Sequence, residues 1–275
     1  MKRYEQMFRH CEEQNRIAFI PFVMIGDPDF DASLKIVRQL IVSGADALEL
    51  GVAFSDPVAD GPVIQKAALR PLNADMTLSR SFEFIKQIRQ EFPEIPIGLL
   101  LYANLVVHYG IDDFYGECDS VGVDSVLIAD VPLRESETFD KAATNNSIQP
   151  VYILPPNASD QTLKNVSGSS QGYTYVLGRK GVTGTEQAAH MPENDAVAQL
   201  TELGAAPPVI GFGISKPEHV IAAGKSGFKG AISGSAVVKL LENYRDNESQ
   251  CLKQLALFVE EMQKATYTIE TESGS

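Results

Sequence analysis

The sequence predicts a closed (β/α)8 TIM barrel preceded by one extra N-terminal helix. Eight short apolar segments, each followed by a segment with helical periodicity, occur along the 275 residues. These apolar segments are nearly continuous rather than alternating, which is typical of parallel strands buried on both faces. Eight βα units in one chain of this length favour a barrel. An open doubly wound sheet is the alternative, because periodicity alone does not show closure.

The predicted strands are apolar runs bounded by turn-forming residues. The first strand is closed by Gly26 and Pro28, and the fifth is stopped by Pro155 and Pro156, since proline cannot continue a central strand. The eight strands cover residues 18–24, 45–52, 96–102, 125–130, 150–154, 172–177, 208–213 and 230–235.

The predicted helices carry apolar residues at a spacing of three and four. The helix over 30–42 is followed by Gly44, a typical C-cap glycine. Thr77 is the predicted N-cap of a helix that begins at Leu78 and includes Ile88. Together the elements make one domain over 1–265, followed by a polar tail over 266–275 that we expect to be disordered. The remaining helices are predicted over 2–14, 112–118, 134–145, 159–166, 195–203, 216–224 and 237–262.

Composition excludes several classes of protein. The formal net charge of −13 and the lack of a basic patch argue against a nucleic-acid-binding surface. The three cysteines and four histidines are scattered, so we expect neither a disulfide framework nor a metal site. The N-terminus lacks a signal-peptide apolar segment, and no apolar run is long enough to span a bilayer. These features predict a cytoplasmic protein without a membrane partner.

Two acids stand at the carboxyl end of the second strand, where barrel enzymes place their active sites. Glu49 falls on the strand face with small neighbours, and a lone carboxylate facing the barrel is costly unless it is hydrogen-bonded or functional. The alternative is a structural acid paired with a neighbouring strand. Asp60 lies on the proline-stiffened loop that follows, where ordinary turn chemistry is the competing explanation, as it is for Asp56.

Glycine-rich loops after the seventh and eighth strands predict a phosphate site. Residues 211–215 and 233–235 each precede a helix, and glycine lets backbone N–H groups approach an anion at a helix N-terminus. Two tight turns are the simpler alternative. The glycine-containing loop 179–184 reads as a lid that excludes water, or else as a merely mobile connection.

These residues predict a barrel enzyme that acts on a phosphorylated metabolite through carboxylate acid–base chemistry. A phosphate-binding isomerase and a non-catalytic regulatory subunit are the competing functions. The predicted pocket walls are apolar, which suggests that the rest of the substrate is apolar too. These wall residues are Phe22, Leu100, Leu127, Ile153 and Phe212.

Several motifs in this order resemble the signature of the tryptophan synthase α chain family. The resemblance spans nearly the whole chain except the tail. The matching motifs are ELGVAFSDPVADGP at 49–62, Tyr102-Ala103-Asn104, RKGVTG at 179–184, GFGI at 211–214 and ISGSA at 232–236.

The resemblance implies a lyase that cleaves indole-3-glycerol phosphate to indole and glyceraldehyde 3-phosphate, a retro-aldol reaction. It implies that Glu49 moves the protons, that Asp60 holds the indole N–H and stabilises developing positive charge, and that Tyr175 lines the site near Glu49. Thr183 matches the residue that contacts the Asp60 position on closure. Gly184, Gly213, Gly234 and Ser235 match the phosphate-binding positions of the family, and Tyr102 and Ile232 are further predicted substrate-binding residues.

The resemblance also implies a partner, the tryptophan synthase β chain, in an α2β2 complex. The pyridoxal phosphate of that complex belongs to the β chain, and no cofactor is expected in this chain. Ala53 stands where the family usually has proline, which should leave the loop freer. The predicted interface residues are Ala53, Asp56, Asn104 and Pro132.

Overall fold

A parallel β-sheet that closes on itself forms the centre of the protein in the computed structural model, which describes residues 2–178 and 195–267. The strands follow the order β5-β4-β3-β2-β1-β9-β8-β7-β6, so that chain neighbours are also spatial neighbours. The strands described are β1 (Ala18–Met24), β2 (Leu48–Gly51), β3 (Ile97–Leu101), β4 (Ser125–Ile128), β5 (Gln149–Pro150), β6 (Ile153–Leu154), β7 (Thr174–Leu177), β8 (Pro208–Gly211) and β9 (Gly230–Ser233).

Closure depends on the short strands β5 and β6, which are two halves of one extended segment. β5 pairs with β4, and β6 pairs with β7. Val151 N donates to Val126 O at 3.0 Å, whereas Tyr152 O accepts from Tyr175 N at 3.1 Å. The first half of the segment therefore pairs with β4 and the second half with β7. This pairing closes the eight predicted strand positions into a barrel. The prediction of a closed barrel is confirmed, and the open sheet is excluded.

Helices surround the barrel, and local signals set several of their ends. α2 ends one residue before Ser43, and Gly44 follows with a φ of +108°. Thr77 Oγ1 accepts from Arg80 N at 3.2 Å, which confirms the predicted N-cap of α4. The helices described are α1 (Arg3–Glu13), α2 (Phe30–Val42), α3 (Pro62–Asn73), α4 (Leu78–Glu91), α5 (Ala103–Tyr109), α6 (Ile111–Val121), α7 (Glu137–Asn145), α8 (Asp160–Ser169), α9 (Asp195–Glu202), α10 (Pro217–Lys225), α11 (Ser235–Tyr244) and α12 (Glu248–Ala265).

Three helices differ from the sequence prediction. α3 and α5 were not predicted: α3 begins with proline at its first position and contains Pro71, which disguised its helical pattern. The prediction of a single helix over 237–262 is wrong, because the helix is interrupted between α11 and α12. Asn247 caps α12 by accepting from Gln250 N at 3.0 Å, and a side-chain cap of this kind starts a new helix.

Two apolar layers lie on the two sides of the barrel wall. Leu48 and Leu50 of β2 pack outward in the cluster shared with the helices, whereas Ala47 packs inward. The inward cluster also contains Tyr4 of α1, whose ring lies 5.4 Å from that of Tyr173. The predicted extra N-terminal helix therefore contributes to the filling of the barrel.

The end of the described chain packs against the fold. Thr266 is buried, and its hydroxyl donates to Gln263 O at 2.7 Å. Most of the predicted tail, 268–275, lies outside the described residues. Within 2–178 and 195–267, no helix has the length and apolar character needed to cross a membrane.

Candidate active site

Glu49 lies inside the barrel, where its strand neighbours are Phe22 of β1 and Gly98 of β3. Only 2% of the residue is exposed. Tyr173 donates its hydroxyl to Glu49 Oε1 at 3.0 Å. In the described part of the chain no Lys or Arg forms an ion pair with this carboxyl group. Glu49 is thus a buried acid held by one neutral donor, rather than half of a structural ion pair.

This setting changes the acidity of Glu49. Burial raises its pKa to about 8, the hydrogen bond from Tyr173 opposes the rise, and the nearby charge of Asp60 adds to it. A carboxyl group with such a pKa is largely protonated at neutral pH. It can therefore donate a proton and, once ionised, accept one.

Asp60 lies at the end of the loop between β2 and α3 and is 7% exposed. Tyr102 donates its hydroxyl to Asp60 Oδ2 at 2.8 Å, and the same hydroxyl accepts from Ala59 N at 3.1 Å. Phe54 stacks on the Tyr102 ring with 5.4 Å between centroids. Burial raises the pKa of Asp60, and the Tyr102 hydrogen bond opposes that rise. The loop is therefore fixed by one tyrosine, and turn chemistry alone does not account for its geometry.

Tyr175 lines the pocket, as the sequence predicts, but it is not the described hydrogen-bond partner of Glu49. Its ring meets Phe212 edge-on at 6.2 Å between centroids. A Cβ atom at Gly211 would lie 2.0 Å from the Tyr175 hydroxyl, so glycine is required there by close approach. Sequence reasoning missed Tyr173, although its two-residue offset from Tyr175 places both tyrosines on one strand face.

A pocket of about 480 Å³, including solvent at its mouth, brings both acids together with Tyr175. Among the predicted wall residues, Phe22, Leu100 and Phe212 line it, and so does Ile232, another predicted site residue. Leu127 is buried in the inward cluster and Ile153 packs against that cluster, and neither lines the pocket. Tyr102 does not line the pocket either, and its hydroxyl instead contacts Asp60. Ile214 and Ser215 of the predicted loop 211–215 also line the pocket, and the lining residues that the sequence prediction did not include are Ile64 and Ala236.

The glycine loops after β8 and β9 also contribute to the pocket. Gly213, Gly234 and Ser235 line it, and Gly213 has a φ of +82°. α11 begins at Ser235 without a capping side chain at Gly234, so no side-chain cap competes with an anion for the backbone N–H groups of its first turn. The predicted lid 179–184, with Thr183 and Gly184, lies outside the described residues.

The residues predicted to contact a partner lie on the surface near the same end of the barrel. Asp56, Asn104 and Pro132 are exposed, and Ala53 is half-buried. Ser55 Oγ donates to Asp56 at 2.5 Å, which agrees with the turn role considered for Asp56. In residues 2–178 and 195–267, no group of three or more His, Cys, Asp or Glu side chains could hold a metal ion.

Comparisons with known proteins agree on one family. The family model described as tryptophan synthase alpha chain matches residues 8–267. The tryptophan synthase alpha chain of Escherichia coli strain SE11 is 52% identical over 266 residues, covering 97% of this chain and 99% of the relative.

Solved structures give the same result. The tryptophan synthase subunit alpha of Legionella pneumophila strain Paris superimposes with a TM-score of 0.88 at 25% identity, covering 98% of this chain and 100% of that one. A chain of the tryptophan synthase complex of Pyrococcus furiosus superimposes with a TM-score of 0.80 at 30% identity, covering 91% and 99%.

Proposed function

The chain belongs to the tryptophan synthase alpha chain family, and from that premise we propose that Glu49 and Asp60 carry its reaction. The chain is a lyase of tryptophan biosynthesis that cleaves indole-3-glycerol phosphate to indole and glyceraldehyde 3-phosphate. The isomerase and regulatory-subunit alternatives do not agree with this membership. The observation that carries the proposed assignment is the buried Glu49, which forms no ion pair with the residues that the structure describes, in the same pocket as Asp60.

Glu49 is the general acid and base of the proposed mechanism. Its carboxyl group, protonated near neutral pH, donates a proton to the indole ring carbon that bears the side chain. The carboxylate so formed then takes the proton of the adjacent side-chain hydroxyl. The carbon–carbon bond breaks, its electron pair returns to the ring, and the hydroxyl carbon becomes the aldehyde. Glu49 ends protonated again, so the cycle needs no other proton donor.

Asp60 is the electrostatic partner in this mechanism. Its carboxylate accepts a hydrogen bond from the indole N–H and stabilises the positive charge that develops on the protonated ring. The hydroxyl of Tyr102, at 2.8 Å, holds this carboxylate in place. Tyr175, beside Phe212, contributes to the wall against which the ring packs.

The phosphate lies at the opposite end of the pocket in the proposed complex. Backbone N–H groups near Gly213, Gly234 and Ser235 bind it at the N-terminus of α11. Phe22, Leu100 and Ile232 supply apolar contacts between the two ends. We further assign Thr183 and Gly184 to substrate binding. Leu127 and Ile153 contribute to the apolar packing inside the barrel rather than to contact with the substrate.

The partner is the β chain of tryptophan synthase, in an α2β2 complex that holds pyridoxal phosphate in the β chain. Ala53, Asp56, Asn104 and Pro132 form the proposed contact surface. Two exposed apolar side chains support this assignment: Val58, 75% exposed, follows Asp56, and Val107, 56% exposed, lies one helical turn from Asn104. We also propose a cytoplasmic location, and one catalytic domain over residues 1–265.

Indole release from indole-3-glycerol phosphate tests the proposal directly. The purified chain is assayed alone, with the β chain, and beside variants of the two acids. We expect slow release that increases with the β chain and is lost in Glu49→Gln. Release that persists unchanged in Glu49→Gln would refute the assignment of Glu49 while leaving the lyase activity intact.

Ala53 provides a test of the contact surface. No described hydrogen bond uses the backbone N–H of Ala53, so the change Ala53→Pro removes none. Proline should stiffen the loop and increase activation by the β chain about two- to fivefold, because less loop freedom is lost on docking. The measurement is the ratio of rates with and without the β chain. An unchanged ratio would show that residue 53 does not limit activation.

A further inference from the structure

Two helices begin at the pocket. α3 starts at Pro62, two residues after Asp60, and its Ile64 lines the pocket. α11 starts at Ser235, and both Ser235 and Ala236 line the pocket. α3 and α11 pack against each other and against β1. Each helix therefore carries one end of the proposed substrate site at its N-terminus.

Arg70 joins these two helices away from the pocket. It is the ninth residue of α3, roughly 12 Å along the helix from Pro62 at 1.5 Å per residue. Its Nη1 donates to Glu242 Oε2 of α11 at 2.5 Å. Its Nε and Nη2 donate to Asp27 Oδ1 and Oδ2 at 2.5 and 2.7 Å. One guanidinium group thus connects α3, α11 and the segment that follows β1.

Burial makes this connection stiff. The side chain of Asp27 is 2% exposed and that of Arg70 is 18% exposed, so the two-point contact is largely shielded from water and salt. Glu242 is 25% exposed and also binds Lys66 of α3 at 2.7 Å. The planar guanidinium fixes direction as well as distance, which a lysine ammonium would not do.

We propose that Arg70 is a positioning residue that sets the separation between the Asp60 end and the phosphate end of the active site. The inference rests on the proposed indole and phosphate sites. A substrate that occupies both ends at once is sensitive to their spacing, because its two ends are covalently linked. A displacement of about 1 Å from the productive geometry can cost on the order of a hundredfold in rate. A ligand that occupies only one end is insensitive to that spacing.

This difference between linked and separate ligands defines the experiment. The full-length chain is assayed for the KM and kcat of indole-3-glycerol phosphate, and for inhibition by inorganic phosphate and by indole as probes of each end. In Arg70→Met we expect KM to rise about tenfold or more, while both inhibition constants change by less than about twofold. Arg70→Lys should recover only part of the loss, because ammonium cannot make the two-point contact with Asp27.

Glu242→Gln gives a second variant, which keeps the contact between Arg70 and Asp27 and weakens both contacts that α3 makes with Glu242 of α11, through Arg70 and through Lys66. We expect KM to rise about threefold, with both inhibition constants unchanged. If Arg70→Met fails to fold, this variant still tests the proposal. Arg38→Met is the matched control, because Arg38 makes a two-point contact with Glu91, at 2.6 and 2.7 Å, between helices that carry no part of the pocket lining. Its KM should equal that of the unmodified chain.

Three results would overturn the inference in distinguishable ways. An unchanged KM in Arg70→Met and Glu242→Gln would refute the role of Arg70 alone. A rise in the phosphate inhibition constant equal to the rise in KM would show that Arg70 supports the phosphate loop itself. No inhibition of the unmodified chain by phosphate would refute the proposed phosphate site, and the inference with it, while indole release would still establish the lyase reaction.

Discussion

Glu49 and Asp60 are both acids bound to a tyrosine hydroxyl, yet they lie in two different kinds of structure. Glu49 is held by Tyr173 at 3.0 Å on a strand inside the barrel. Asp60 is held by Tyr102 at 2.8 Å at the end of a surface loop. Burial raises the pKa of both carboxyl groups, and the hydrogen bond opposes the rise in both. The chemistry of the pair is the same, so any difference between them comes from the surroundings.

The different surroundings of Glu49 and Asp60 suit the two acids to different roles. The strand gives Glu49 a buried position, where burial outweighs one hydrogen bond and the pKa reaches about 8. The loop gives Asp60 a position in which Tyr102 also binds the backbone at Ala59, so the hydroxyl fixes the loop as well as the carboxylate. In this protein the barrel strand therefore suits Glu49 to proton transfer, whereas the loop fixed by Tyr102 suits Asp60 to holding a negative charge in place.

The largest expected effect comes from removing the proton-transfer group. Glu49→Gln should lower kcat by about a thousandfold, because an amide of nearly the same shape neither donates nor accepts the proton. Indole release measures the loss. Inhibition by inorganic phosphate should be unchanged, which controls for the fold and the phosphate end. A loss of less than tenfold would mean that the buried acid is structural.

The second effect concerns stability, because the raised pKa of Glu49 links the free energy of unfolding to pH. The pKa of Glu49 is raised on folding, so between its unfolded value near 4.5 and about 8 the folded state binds more protons than the unfolded state. Stability from this group is therefore present at pH 5 and is lost as pH rises to 8, by about 3 kcal/mol.

Urea unfolding of the unmodified chain and of Glu49→Gln at pH 5 and pH 8 measures this linkage. The free energy of unfolding of the unmodified chain should fall relative to that of the variant as pH rises. Parallel pH dependence of the two proteins would contradict a raised pKa at Glu49.

The third effect removes the fixed charge and keeps its shape. Asp60→Asn should lower kcat about a hundredfold, because the amide oxygen still accepts a hydrogen bond but no longer opposes the positive charge on the ring. The pH profile gives a second readout: the charge of Asp60 raises the pKa of Glu49, so the apparent pKa in the variant should fall. A profile that moves to higher pH would contradict the electrostatic link between the two acids.

We expect the smallest effects from replacing the two tyrosines, and these variants test whether each tyrosine serves a different acid. Tyr173→Phe removes the donor that stabilises ionised Glu49, so the apparent pKa of activity should rise by about one pH unit. Tyr102→Phe removes the hydrogen bonds of the Tyr102 hydroxyl to the Asp60 carboxylate and to the backbone N–H of Ala59. We therefore expect KM to rise severalfold with little change in the apparent pKa of activity. Equal pH profiles for the two variants would mean that the tyrosines do not serve separate acids.

Much of the fold follows from local signals in the sequence. The limits of β1 and α2 coincide with the predicted ranges, because apolar periodicity and the glycine after α2 act over a few residues. Glu49 falls on the predicted inner face, since alternation along a strand leaves no other choice. The glycine loops after β8 and β9 reach the pocket for the same local reason, as each follows directly from its strand.

Contacts between residues that are distant in the sequence could be identified only from the tertiary structure. Strand pairing alone decides that β5 and β6 divide their hydrogen bonds and close the barrel. Closure then places Tyr173 against Glu49, and Arg70 between Asp27 and Glu242, although these partners are far apart in the chain. Composition and spacing determined which residues face inward. Which of them touch, and how far burial shifts their acidity, depends on the packing of the whole barrel, because desolvation is a property of all the surrounding atoms.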